Sequence, residues 1–162
     1  MTTPFYAGST ATAAAVDAAL PQNYVLATNQ TINTTSDDLI GNFVSTELPI
    51  GTYKITVDLN YVANQSAGTP SFAFHGPAAP SLQAITANIN GGGSNQPVQV
   101  AGGGGFASVA MANGEYYNVD LVYTVTTTTA GTISFQAHTS AGADTFTIAA
   151  GAVMTVTAAS LS

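Results

Sequence analysis

From Tyr24 onward, hydrophobic and polar positions alternate with the two-residue period of half-buried strands. The longest run sets Tyr53, Ile55, Val57, Leu59 and Tyr61 against Thr52, Lys54, Thr56, Asp58 and Asn60. One face of that strand is expected to be buried and the other wet, with Lys54, Asp58 and Asn60 on the wet face. A second run sets Tyr117, Val119, Leu121, Tyr123 and Val125 against Tyr116, Asn118, Asp120, Val122 and Thr124. Shorter strands are expected at residues 24–26, 30–32, 43–48, 98–100, 145–148 and 152–157. Turns are expected at Ser36-Asp37-Asp38, Pro49-Ile50-Gly51 and Ala149-Ala150-Gly151. β-Branched and aromatic residues dominate these segments, as strands require.

The two long runs belong to an internal repeat. Val57-Asp58-Leu59-Asn60-Tyr61 matches Val119-Asp120-Leu121-Val122-Tyr123 at an offset of 62 positions, and residues 67–75 match residues 130–138 at an offset of 63. Each copy reads as strand, turn, strand, so two related hairpins are expected over residues 51–78 and 114–141. Phe72 and Phe74 in the first copy, and Ile133, Phe135 and Ala137 in the second, supply the inward face of the return strand. Pro70 suits a strand start or an edge. A repeated β-unit points to a scaffold rather than a reaction centre.

Residues 1–23 differ. Residues 10–20 are rich in Ala, the best helix former, and Pro21 would end a short helix there. Phe5, Tyr6, Val16 and Leu20 are its large apolar side chains, too few for independent stability. The segment reads as an arm that orders against the body or a neighbouring subunit, and these four residues are the candidate interface. Residues 24–162 form the β-domain.

Charge then narrows the function. Lys54 is the one basic side chain, against eight acidic residues and a net charge of −7. Nucleic acid and anionic membrane are excluded as partners, because both need several cations. There is no Cys, so thiolate chemistry and Cys-based metal sites are excluded as well. A surface of Thr, Ser, Asn and Gln suits closely packed interfaces that bury no unpaired charge.

Candidate chemistry is sparse. Gly91-Gly92-Gly93 and the run over residues 102–105 lack the Lys-Ser/Thr of a phosphate loop and read as loops. His75 and His138 hold equivalent repeat positions, which the repeat operator is expected to keep apart, so no metal is assigned to them. Asp58 and Asp120 are also equivalent and are read as solvated carboxylates rather than a glycosidase pair. Asp37, Asp38 and Asp144 lack a calcium-loop pattern. No Ser sits in a nucleophile elbow. No catalytic residue, cofactor or metal is expected.

The stretch Leu48-Pro49-Ile50-Gly51-Thr52-Tyr53 through Phe72-Ala73-Phe74-His75-Gly76-Pro77-Ala78 resembles a module of tailed-bacteriophage virion proteins. Residues 8–18 resemble its lead-in, and residues 149–157 its closing turn and strand. The likeness covers about residues 5–158. It implies an all-β, jelly-roll-like antiparallel β-sandwich with a short N-terminal arm, in a homotrimer on the virion. The expected function is capsid decoration: binding the major capsid protein on the capsid exterior and reinforcing the shell, after synthesis in the host cytoplasm. The alternative is a tail or fibre-tip module that binds host surface glycans. Neither reading involves an enzyme.

Overall fold

Alternating side chains become twelve strands in the computed structural model, which describes residues 20–64, 69–77, 82–91, 94–101, 105–107, 112–141 and 143–161. The strands are β1 (Gln22–Val25), β2 (Gln30–Ile32), β3 (Asp38–Val44), β4 (Gly51–Ala63), β5 (Pro70–His75), β6 (Leu82–Gly91), β7 (Ser94–Ala101), β8 (Gly105–Ala107), β9 (Tyr116–Thr127), β10 (Ser134–Thr139), β11 (Phe146–Ile148) and β12 (Val153–Leu161). The described residues contain no helix. The helix expected over residues 10–20 lies outside them but for Leu20, and β1 begins at Gln22, just inside the expected arm.

A large sheet runs β1-β12-β4-β9-β6-β7, with β11 beside β4 and β2 beside β11; a small sheet runs β3-β10-β5-β8. Without β2, β11 and the β6–β7 hairpin, successive strands fill two four-stranded sheets, β1-β12-β4-β9 and β3-β10-β5-β8. This is jelly-roll connectivity, and every strand pair is antiparallel.

The expected hairpins are corrected. β4 lies in the large sheet and β5 in the small one, and β9 and β10 are divided likewise. Each repeat is therefore an arch between sheets, and its strands pair with the other repeat: β4 with β9, β5 with β10. Asp58 faces Asp120 in the first ladder, and Ala73 faces Gln136 in the second. Both are pairs of repeat-equivalent residues, so one pseudo-two-fold axis passes through both sheets. Exchanging β1 with β7, β12 with β6, β4 with β9, β3 with β8 and β10 with β5 reproduces each sheet order. The exchange also keeps the strands in chain order, so the architecture is pseudo-symmetric beyond the strands that carry the sequence repeat. One flank is interrupted: β1 and β2 pair with β12 and β11 around a break, whereas β7 pairs continuously with β6. Across that break Leu26 N–H donates to Ala152 O at 2.9 Å and Gly151 N–H to Leu26 O at 2.8 Å.

Inward residues fill one core between the sheets. Tyr53, Ile55, Val57, Leu59 and Tyr61 of β4 are buried with Tyr117, Val119, Leu121, Tyr123 and Val125 of β9. Aromatic contacts tie the layers together: Phe74 of β5 stacks on Tyr123 of β9 at 4.4 Å between ring centroids, and Tyr61 of β4 meets Phe72 of β5 at 6.0 Å. Buried polar groups have partners, as their desolvation demands. Tyr53 OH donates to Pro49 O at 2.7 Å, and Ser45 Oγ accepts Ile133 N–H at 2.8 Å.

Two local expectations change. The strand expected at residues 43–48 is β3, at Asp38–Val44. Gly41 has φ +50°, which turns the chain so that Ile40 and Phe43, three apart, both enter the core. Gly91, expected in a loop, ends β6 at a close approach. A Cβ there would overlap the Tyr116 carbonyl oxygen and lie 2.8 Å from Tyr117 Cα.

Candidate functional site

Outward residues of the small sheet build the tightest polar cluster. The alternation of β5 and β10 turns Ala73, His75, Gln136 and His138 away from the core. Asp37, in the turn before β3, reaches both imidazoles. His75 Nε2 donates to Oδ2 at 2.7 Å and His138 Nδ1 to Oδ1 at 2.6 Å. Partial burial raises the Asp37 pKa, but the hydrogen bonds and positive charge of His138 and His75 outweigh it and hold the carboxyl below its usual value. The repeat-equivalent histidines are therefore joined through one carboxylate of a residue outside the repeated segment, a link the repeat alone does not predict. Their strand positions remain apart. His138 faces Ser71, and His75 lies four residues from Ser71 along β5, about 14 Å at the antiparallel rise. Among the described residues, no three His, Cys, Asp or Glu side chains are placed to hold a metal ion. The cluster can clasp the turn before β3 onto the two central strands of the small sheet.

The outer face of the large sheet carries the other cluster. The ladders align Asp58, Asp120 and Asn88 in one row across β4, β9 and β6, and Asn60, Asn118 and Asn90 in the next. Asn118 Nδ2 lies 3.2 Å from both Asp58 Oδ1 and Asn60 Oδ1, so the rows are cross-linked. Asp58 and Asp120 are directly opposite, where like charges repel. The sole Lys, Lys54, is four positions along β4, facing Thr124. A groove of about 510 Å³ opens over this pair, lined by Thr56, Asp58, Asn88, Asp120, Val122 and Thr155 among others. A smaller depression of about 140 Å³ lies at Asn60, Val62 and Tyr116, on the other side of the Asn row. Alternation places Asp58 and Asp120 outside but does not show that they touch, because nothing in it tells which strand lies beside β4.

Of the four candidate interface residues, Phe5, Tyr6 and Val16 lie outside the described residues. Leu20 is 57% exposed at the head of β1, and Val25 of β1 is 51% exposed. β1 is an edge strand of the large sheet. Among the described residues, the chain thus enters the large sheet with these two apolar side chains exposed.

No family profile and no curated protein matches the sequence. Among solved structures, a chain in the structure of infectious bursal disease virus Gx strain is similar at 16% identity and a TM-score of 0.21, over 85% of this chain. The match spans 40% of that viral chain. A superposition at that level places this protein in no family.

Proposed function

We propose that the protein is a non-enzymatic virion structural protein, a capsid decoration protein that attaches as a homotrimer to the major capsid protein on the capsid exterior. The observation that carries this reading is the uncovered apolar edge at Leu20 and Val25, where the arm enters the sandwich. An edge strand with exposed apolar side chains calls for a cover. The low charge of the chain supports the same mechanism. The chain has one Lys against eight acidic residues and so no mixed-charge network of its own to bring to the interface; in this reading apolar contacts and neutral hydrogen bonds hold it, and several weak contacts per trimer multiply. The resemblance of residues 5–158 to phage virion modules supports the virion setting.

The test is attachment to purified virions. A chain lacking residues 1–20 is expected to keep its β-sheet circular dichroism and to lose most of its binding. Raising salt from about 0.1 to 1 M, which shortens the screening length from about 10 to 3 Å, is expected to leave the intact protein attached. Undiminished binding of the shortened chain, or complete release by salt, overturns the proposal.

A further inference from the structure

We infer that the outer face of the large sheet is a binding site for a neutral oligosaccharide, held across Asp58, Asp120 and the asparagine row with Tyr116 as its apolar platform. This does not depend on the attachment reading. The groove over Asp58 and Asp120 has the volume of a small-molecule site, about 510 Å³. Its floor is the continuous ladder of β12, β4, β9 and β6, so the polar groups stand on a rigid base.

The chemistry of the two rows selects the ligand. Carboxylates only accept hydrogen bonds, while carboxamides both accept and donate. Neighbouring hydroxyls of a sugar, each donor and acceptor, match that mixture. Asp58 accepts one hydrogen bond from Asn118, and within the described residues Asp120 accepts none. Sugar hydroxyls donating to both carboxylates would supply what the chain leaves unmade and spread the facing negative charge. An anionic sugar would meet two carboxylates at the centre of the groove, with Lys54 four residues from Asp58 on the side away from Tyr116, so neutral glycans are selected.

Tyr116 supplies the remaining element. It is 75% exposed on the same outward face of β9, four residues before Asp120. Such a ring, apolar on its face and polar at its tip, can receive the C–H face of a pyranose. The span from Tyr116 to Asp120 is about 14 Å along the strand, which requires an oligosaccharide rather than a single sugar.

The probes are neutral glucose- and galactose-based oligosaccharides and their sialylated counterparts, arrayed and then titrated into the full chain while backbone NMR shifts are followed. Neutral oligosaccharides are expected to bind weakly and to shift amides of β4, β9 and β6. Tyr116→Ala, and separately Asp58→Asn with Asp120→Asn, are expected to weaken binding tenfold or more, with the melting temperature preserved in the first variant and preserved or slightly raised in the second. No binding of any neutral probe at millimolar concentration overturns the inference. So does equal binding of sialylated probes, retained affinity in both variants, or calcium binding at the Asp pair without any saccharide shift.

Discussion

Two pairs of repeat-equivalent residues meet opposite fates. Asp58 and Asp120 sit on the pseudo-two-fold axis of the large sheet, so the duplication brings them face to face. His75 and His138 sit two residues off the axis of the small sheet, so the same duplication holds them apart. The on-axis pair is left as two opposed negative charges. The off-axis pair is reconciled by Asp37, which lies outside the repeated segment and bonds both rings. Doubling a strand unit thus sets equivalent residues opposite each other at one position per ladder, and away from that position a residue outside the repeat can join them.

The comparison stands on the shared axis, so the largest effect comes from breaking its core. Leu59 and Val119 face each other just inside it, both fully buried. Leu59→Ala or Val119→Ala is expected to cost about 2–4 kcal/mol in chemical denaturation, from lost transfer energy and the cavity left behind. As contacting residues, the double variant should lose less than the two single losses added together. Strict additivity would show that the two strands do not pack as one unit.

A smaller effect separates the bridged pair from the unbridged one. Asp37→Asn removes the charge that both histidines share and is expected to cost about 1 kcal/mol or less at neutral pH, since the cluster is largely solvated. The carboxyl has a lowered pKa in the folded chain. Its contribution is therefore present above the unfolded value and lost as pH falls through the folded one. Wild type should lose this part of its stability in acid below the usual carboxylate range, and Asp37→Asn should not. Matching acid-unfolding curves for the two proteins would remove the clasp from the account.

The smallest effect has the opposite sign. Asp58→Asn or Asp120→Asn relieves the opposed charges and is expected to stabilise the fold by about 0.2–0.5 kcal/mol at neutral pH. Either change alone removes the repulsion, so both together should gain no more. The gain should fade in about 1 M salt. A loss on either substitution would mean that the carboxylates hold something together within the chain.

Sequence alternation specifies which side of each strand is wet but not which sheet holds it. The faces of β4 and β9 follow from Tyr53–Tyr61 and Tyr117–Val125 because a one-residue slip would expose every large side chain. The return strands were legible as strands, yet their partners were not. The links after Ala63 and Thr127 are long enough either to fold back as hairpins or to cross the roughly 10 Å between sheets. β6 carries a weak signal, since its inward positions Ile85, Ala87 and Ile89 include a small residue and its outward ones are neutral. β3 breaks period two at Gly41, which displaced the expected strand. The clasp at Asp37 was beyond reach, because it joins residues 38 and 101 positions apart on three separate elements.

The crossed pairing of the two arches also governs how the chain reaches its fold. β4 cannot complete its ladder until β9 exists, nor β5 until β10, and the gap between β1 and β4 is filled only by β12. Every central contact therefore closes a loop of tens of residues before it is rewarded, a topology of high contact order that folds in milliseconds to seconds rather than microseconds. On the ribosome, the first arch emerges with two open edges and must wait for its counterpart. During that interval its unpaired strand edges are where pairing with another chain would compete with correct closure.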